Sequence, residues 1–99
     1  MSTPPDATTR PETAITVRYW ASARAAAGVA SDELPAAAPL PLATVLARAA
    51  TLHAGTRLPD VLKVCSVLVG ETPVGSADAE DVLVAPGETV ELLPPFAGG

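Results

Sequence analysis

A single apolar stripe of helical period runs through this chain. Leu42, Val45, Leu46, Ala49 and His53 recur at i, i+3, i+4, i+7 and i+11, and the stripe ends near Gly55. It predicts the one substantial helix, so most other apolar residues must be buried by strands. Pro41 is read in the first turn, where a missing N–H leaves no bond unmade, and Thr44 is the alternative cap.

Period-two alternation supplies the strands. Ile15, Val17 and Tyr19 alternate with Thr16, Arg18 and Trp20. The alanine-rich run from Ala21 to Ala27 predicts a short helical connection, closed by Gly28 in the left-handed conformation that ends many helices. Residues 29–34 read as an edge strand, followed by a loop whose Pro35, Pro39 and Pro41 cannot belong to a central strand. Cys65, Val67 and Val69 alternate into Gly70-Glu71-Thr72, and Pro73-Val74 resumes, which predicts a hairpin with a short second arm at an edge. Leu83 to Ala85 leads into Pro86-Gly87, the pair that a type II turn places at its centre. A last strand covers residues 88–93.

Strand, strand, helix, strand, short strand, strand is the order of the ubiquitin-like β-grasp: an α+β fold in which one main helix packs across a mixed sheet. Its first and last strands would lie parallel at the sheet centre. Val90 and Leu92 then face the helix, and Thr89, Glu91 and Leu93 face away. Leu93 is expected to be exposed and to form, with Pro94, Pro95 and Phe96, an apolar patch suited to a partner. Residues 1–14, rich in Pro and Thr and without periodicity, read as a disordered leader without function. Residues 15–93 form the domain, and 94–99 a flexible tail.

Composition narrows the function. At 99 residues the chain has room for one domain, and with only three aromatics its core is mostly Val and Leu. The net charge is −5 and the six basic residues are scattered, which argues against nucleic acid and suits a partner with a basic face. Cys65 is the lone cysteine, so no disulfide framework exists within the chain. The N-terminus lacks an apolar signal core, and no stretch reaches membrane-span length; the expected compartment is the cytoplasm.

The sequence closes on Pro94-Pro95-Phe96-Ala97-Gly98-Gly99. Without Cβ atoms, Gly98 and Gly99 can thread a channel too narrow for other residues and leave the terminal carbonyl unhindered. As an ionised carboxylate Gly99 is a poor electrophile, so chemistry there requires prior activation.

These residues resemble the MoaD/ThiS sulfur carriers, and within them the small subunit of molybdopterin synthase. The resemblance spans residues 15–99. It rests on Val17-Arg18-Tyr19-Trp20-Ala21-Ser22-Ala23-Arg24 with Gly28, on Leu83-Val84-Ala85-Pro86-Gly87-Glu88-Thr89-Val90, and on the closing Pro94-Pro95-Phe96-Ala97-Gly98-Gly99. The extra leader, Phe96 in place of a smaller aliphatic, and the missing Thr-Val helix start depart from the pattern.

The resemblance implies that an E1-like adenylating and sulfurating enzyme uses ATP to adenylate Gly99, and that a sulfur donor converts it to a thiocarboxylate. The tail, with Ala97 and Gly98 passing the channel, would then enter the large subunit and give up sulfur for the molybdopterin dithiolene. Leu93, Pro94, Pro95 and Phe96 would meet the partner. The chain itself would hold no cofactor and catalyse nothing. Three other roles compete: a carrier for cysteine, thiazole or specialised-metabolite sulfur insertion, a ubiquitin-like modifier joined through Gly99, and an interaction module with an inert tail.

The remaining candidates read as structural. Cys65 opens an apolar strand, where cysteine is commonly buried. His53 lies near a helix C-terminus that favours a cation, and one histidine is no metal site. Asp78, Glu80 and Asp81 read as a solvated turn.

Overall fold

The structure, a computed structural model, describes residues 13–95. The opening alternation becomes β1, Ala14–Tyr19, with Ile15, Val17 and Tyr19 buried. The strand includes Ala14, which pairs with Pro35, so the ordered ladder begins one residue before the expected boundary. Helix α1, Ala21–Ala27, follows and ends at Gly28 with φ +79, whose N–H bonds back to Arg24 O at 2.9 Å. The edge strand is β2, Ser31–Pro35, antiparallel to β1.

Leu40–Pro41 (β3) introduces helix α2, Leu42–Leu52, whose Leu42, Val45 and Ala49 are buried. Pro41 is the N-cap residue, and neither it nor Thr44 gives a side-chain cap. The orphan N–H groups that every helix start exposes are met by main chain instead: Leu42 N–H donates to Val82 O at 2.7 Å and Ala43 N–H to Ala79 O at 3.0 Å. The loop that carries those carbonyls continues into β6, Leu83–Val84, which pairs with β3.

Alongside α1 and α2 there is a further five-residue helix, α3, Leu58–Leu62, that buries Leu58. Thr56 Oγ1 accepts its Leu58 N–H at 3.1 Å. Strands β4, Ser66–Val69, and β5, Thr72–Pro73, form the expected hairpin. Gly70, at φ +64, takes the first turn position that type II′ reserves for glycine. Gly87, at φ +96, follows Pro86, and Glu88 N–H closes the type II turn on Ala85 O at 3.0 Å. It leads into β7, Thr89–Leu93.

The main sheet runs β2-β1-β7-β4-β5, with β7 central, parallel to β1 and antiparallel to β4. Val90 and Leu92 are fully buried on its helix side, each worth about 1.5–3 kcal/mol of apolar burial. A mixed sheet with one main helix packed across it is the β-grasp that the element order predicted.

Candidate functional site

The chain leaves the domain from the end of the central strand. The β7 ladder stops at Leu93, because Pro94 and Pro95 have no N–H to continue it. The neighbouring end of β1 is tied to the same point: Trp20 N–H donates to Leu92 O at 3.2 Å. Immediately after it Ala21 takes φ +49, the only positive φ of a non-glycine among the described residues, and turns the chain into α1 beside the tail exit.

Around this exit the outer sheet face carries a connected cluster. Arg18 and Glu91 are register partners on β1 and β7. Trp20 places its indole between them chemically: its Nε1–H donates to Glu91 Oε1 at 2.7 Å, and the Arg18 guanidinium lies 5.3 Å from its ring centroid. Trp20 nevertheless keeps 42% of its surface exposed. Two strands over, Ser66 stands opposite Leu93, and Leu68 opposite Glu91 and Pro73. Apolar Leu93, Leu68 and Trp20 therefore share one face with the tail exit.

Leu93 keeps the outward phase expected of it but is half-buried, not exposed. The cause is its strand: β7 is flanked on both sides, and side chains on adjacent strands, about 4.8 Å away, shade even the outer face. Pro94 is also half-buried and Pro95 exposed. Phe96, Ala97, Gly98 and Gly99 lie outside the described residues. Trp20 was not singled out from the sequence as part of this surface, although its period-two phase with Thr16 and Arg18 already placed it there.

A second polar cluster sits on the helix side. Asp32, facing inward on the edge strand, accepts from the Tyr19 hydroxyl at 2.9 Å and from His53 Nε2 at 2.6 Å, both at Oδ2. The Tyr19 and His53 rings meet edge-on at 5.6 Å. Burial, then the hydrogen bond to Asp32, then the charge of that carboxylate push the Tyr19 hydroxyl far above its ordinary value. It is held neutral, which disfavours the phenolate that nucleophilic chemistry at Tyr19 would need. His53, as the C-terminal cap of α2, ties the helix to β2.

Cys65 Sγ–H donates to Val61 O at 3.3 Å, and burial pushes the thiol up, which disfavours the thiolate that sulfur relay would need. Asp78, Glu80 and Asp81 are exposed, with Asp78 Oδ1 accepting Glu80 N–H at 3.0 Å in a local turn. No three metal-ligating side chains are grouped among the described residues, and no helix there is long and apolar enough to cross a membrane.

The sequence profile of the ThiS family matches residues 17–99, from the first core valine to the last glycine. The chain belongs to the ThiS family. Over 87 residues this ThiS-family chain is 31% identical to the molybdopterin synthase sulfur carrier subunit of Aspergillus niger, covering 88% of this chain and 96% of that one. Its fold is that of SAMP1 from Haloferax volcanii, with TM-score 0.70 and 17% identity over 87% of this chain and 99% of that one. Urm1 from Trypanosoma brucei superposes with TM-score 0.59 and 22% identity, over 88% and 96%. The ubiquitin-like neighbours agree with the β-grasp, and the ThiS match with the resemblance carried by the opening and closing motifs.

Proposed function

We propose that this ThiS-family chain is a sulfur carrier and serves as the small subunit of a molybdopterin synthase. The single observation that supports this most is its 31% identity, along nearly its whole length, to a protein named for that role. The profile match that includes Gly98 and Gly99 supports the tail as the reactive part.

In this reading an E1-like enzyme brings the Gly99 carboxylate to ATP. A carboxylate oxygen attacks the α-phosphorus, pyrophosphate leaves, and the acyl-adenylate has the leaving group that the free carboxylate lacks. A sulfur donor displaces AMP and leaves a thiocarboxylate on Gly99. Ala97 and Gly98 then thread the large subunit, and two such transfers of one sulfur each, with water restoring the Gly99 carboxylate each time, build the dithiolene on the precursor pterin. The catalytic residues belong to the partners. The carrier holds no cofactor of its own, ATP being consumed by the activating enzyme, and it works in the cytoplasm.

The fold supplies the positioning. Leaving from the central strand, the tail departs from the best-anchored backbone of the sheet, between Trp20 on one side and Ser66 on the other. In this reading Leu93, Pro94 and Pro95, followed in sequence by Phe96, meet the partner, and Trp20 extends that surface.

The test is transfer to an acceptor. Thiocarboxylated chain, large subunit and precursor pterin should yield the dithiolene product and return Gly99 to the carboxylate. Persistence of the thiocarboxylate there, with consumption by a cysteine or thiazole pathway instead, would move the chain to another sulfur route. Gly99 joined to lysines of other proteins would make it a modifier.

A further inference from the structure

Trp20 combines exposure with fixity: 42% of its surface is open to solvent, yet its main chain and its ring are both tied down. Its N–H donates to Leu92 O at 3.2 Å, and its carbonyl accepts the N–H groups of Ala23 at 2.9 Å and Arg24 at 3.3 Å. With φ −121 and ψ 151 it continues the extended path of β1. That path puts its side chain on the same face as Arg18, two residues earlier.

The ring has two torsions of its own, and two charged side chains are placed to fix them. Glu91 Oε1 accepts the indole Nε1–H at 2.7 Å, and the Arg18 guanidinium lies over the ring at 5.3 Å from its centroid. Arg18 and Glu91 stand opposite each other on β1 and β7, where unlike charges commonly pair. Among the described residues these two form no ion pair, and each meets the indole instead. With its N–H taken by Glu91 and one face covered by Arg18, the indole offers a partner its other face and its outer edge. A pocket that receives it needs apolar walls and no hydrogen-bond acceptor.

We propose that Arg18 and Glu91 are positioning residues for docking: they hold the Trp20 indole in the orientation that the large subunit receives. The inference rests on the reading of the chain as a synthase subunit. Ordering a side chain on binding costs affinity, and an indole ordered beforehand avoids that cost. Leu92 O, which receives the Trp20 N–H, lies one residue before Leu93, so the indole and the root of the tail share one rigid segment.

Trp20 is the only tryptophan, so fluorescence anisotropy of the free chain reports its indole alone. Glu91→Ala should lower that anisotropy and weaken binding to the large subunit, read by calorimetry, by about three- to tenfold, with the circular dichroism spectrum unchanged. Glu91→Gln keeps an acceptor for the indole and should recover most of both. Arg18→Gln, on the neighbouring strand, should give a smaller loss of each. In a Trp20→Ala background, Glu91→Ala should cost nothing further, because Glu91 acts through the ring. An equal loss in that background would overturn the proposal and make Glu91 a direct contact. So would an indole as immobile in Glu91→Ala as in the wild type, or wild-type binding that Glu91→Ala leaves untouched. Absence of wild-type binding would overturn the synthase reading, and the docking role with it.

Discussion

The Tyr19 hydroxyl donates to Asp32 Oδ2 at 2.9 Å, joining the second strand of the sheet to its edge from the core side. His53 meets the same oxygen at 2.6 Å, so one carboxylate oxygen holds β1, β2 and the end of α2 together. Because Tyr19 titrates far higher folded than unfolded, its contribution to stability is complete below about pH 10, the ordinary tyrosine value. It is lost as pH rises through that value towards the folded one. Urea unfolding from pH 7 to 11 should show the wild type losing stability more steeply above pH 10 than Tyr19→Phe. Lys63 and Cys65 are common to both chains, so the difference isolates Tyr19. Parallel curves would contradict the coupling.

Asp32→Ala should cost more than Tyr19→Phe at neutral pH. It leaves two mostly buried donors, Tyr19 and His53, without their acceptor, and each such loss costs about 1–3 kcal/mol. Chemical denaturation measures this. Sulfur transfer by the surviving folded fraction should be unchanged, since the cluster lies on the helix side of the sheet.

Leu93→Asp should leave the circular dichroism spectrum intact and lower affinity for the synthase large subunit by at least about tenfold, as central apolar contacts do. Leu93 is half-buried, so a modest fall in melting temperature is expected as well. Trp20, the only tryptophan, gives the readout: its indole bond to Glu91 lies beside the tail exit, and docking should shift its emission. Unfolding in place of lost binding would show Leu93 to be a core residue.

What was legible in the sequence is what repeats. Ile15, Val17 and Tyr19, then Val90 and Leu92, announced the parallel pair by phase, and the α2 stripe announced the helix across it. Gly28 and Gly87 marked an end and a turn because their left-handed φ suits few other residues. Helix α3 has no counterpart in the sequence reading: five residues are too few to display a period, and Pro59, which favours a first helical turn, is by itself a weak signal. The capping of α2 by Val82 and Ala79, and the role of Asp32, depend on partners far along the chain and leave no local signature. An acidic residue on an edge strand reads as solvated until the fold turns it inward. The outward phase of Leu93 was legible, but its shading was not, because that comes from strands on both flanks.

Truncation should separate the leader from the domain. Removing residues 1–12 should leave thiocarboxylation unchanged. Removing 1–14 should lower the melting temperature further, because the Thr13–Ala36 bond and the Ala14–Pro35 pairing go with it. Equal melting of the two truncated chains would show that those two residues contribute nothing.

The most direct test of the account is the mass of the last residue after activation. With a cognate activating enzyme, ATP and a sulfur donor, the chain should gain the mass of one oxygen-to-sulfur exchange, and tandem mass spectrometry should place it on Gly99. Deletion of Gly99 should abolish the change, since an extended chain then ends about 3.3–3.6 Å short of the activating site. Gly98→Val should fail by widening the tail, and Cys65→Ser should behave as wild type. A shifted mass that maps to Cys65, or that survives loss of Gly99, would contradict the carrier-tail mechanism.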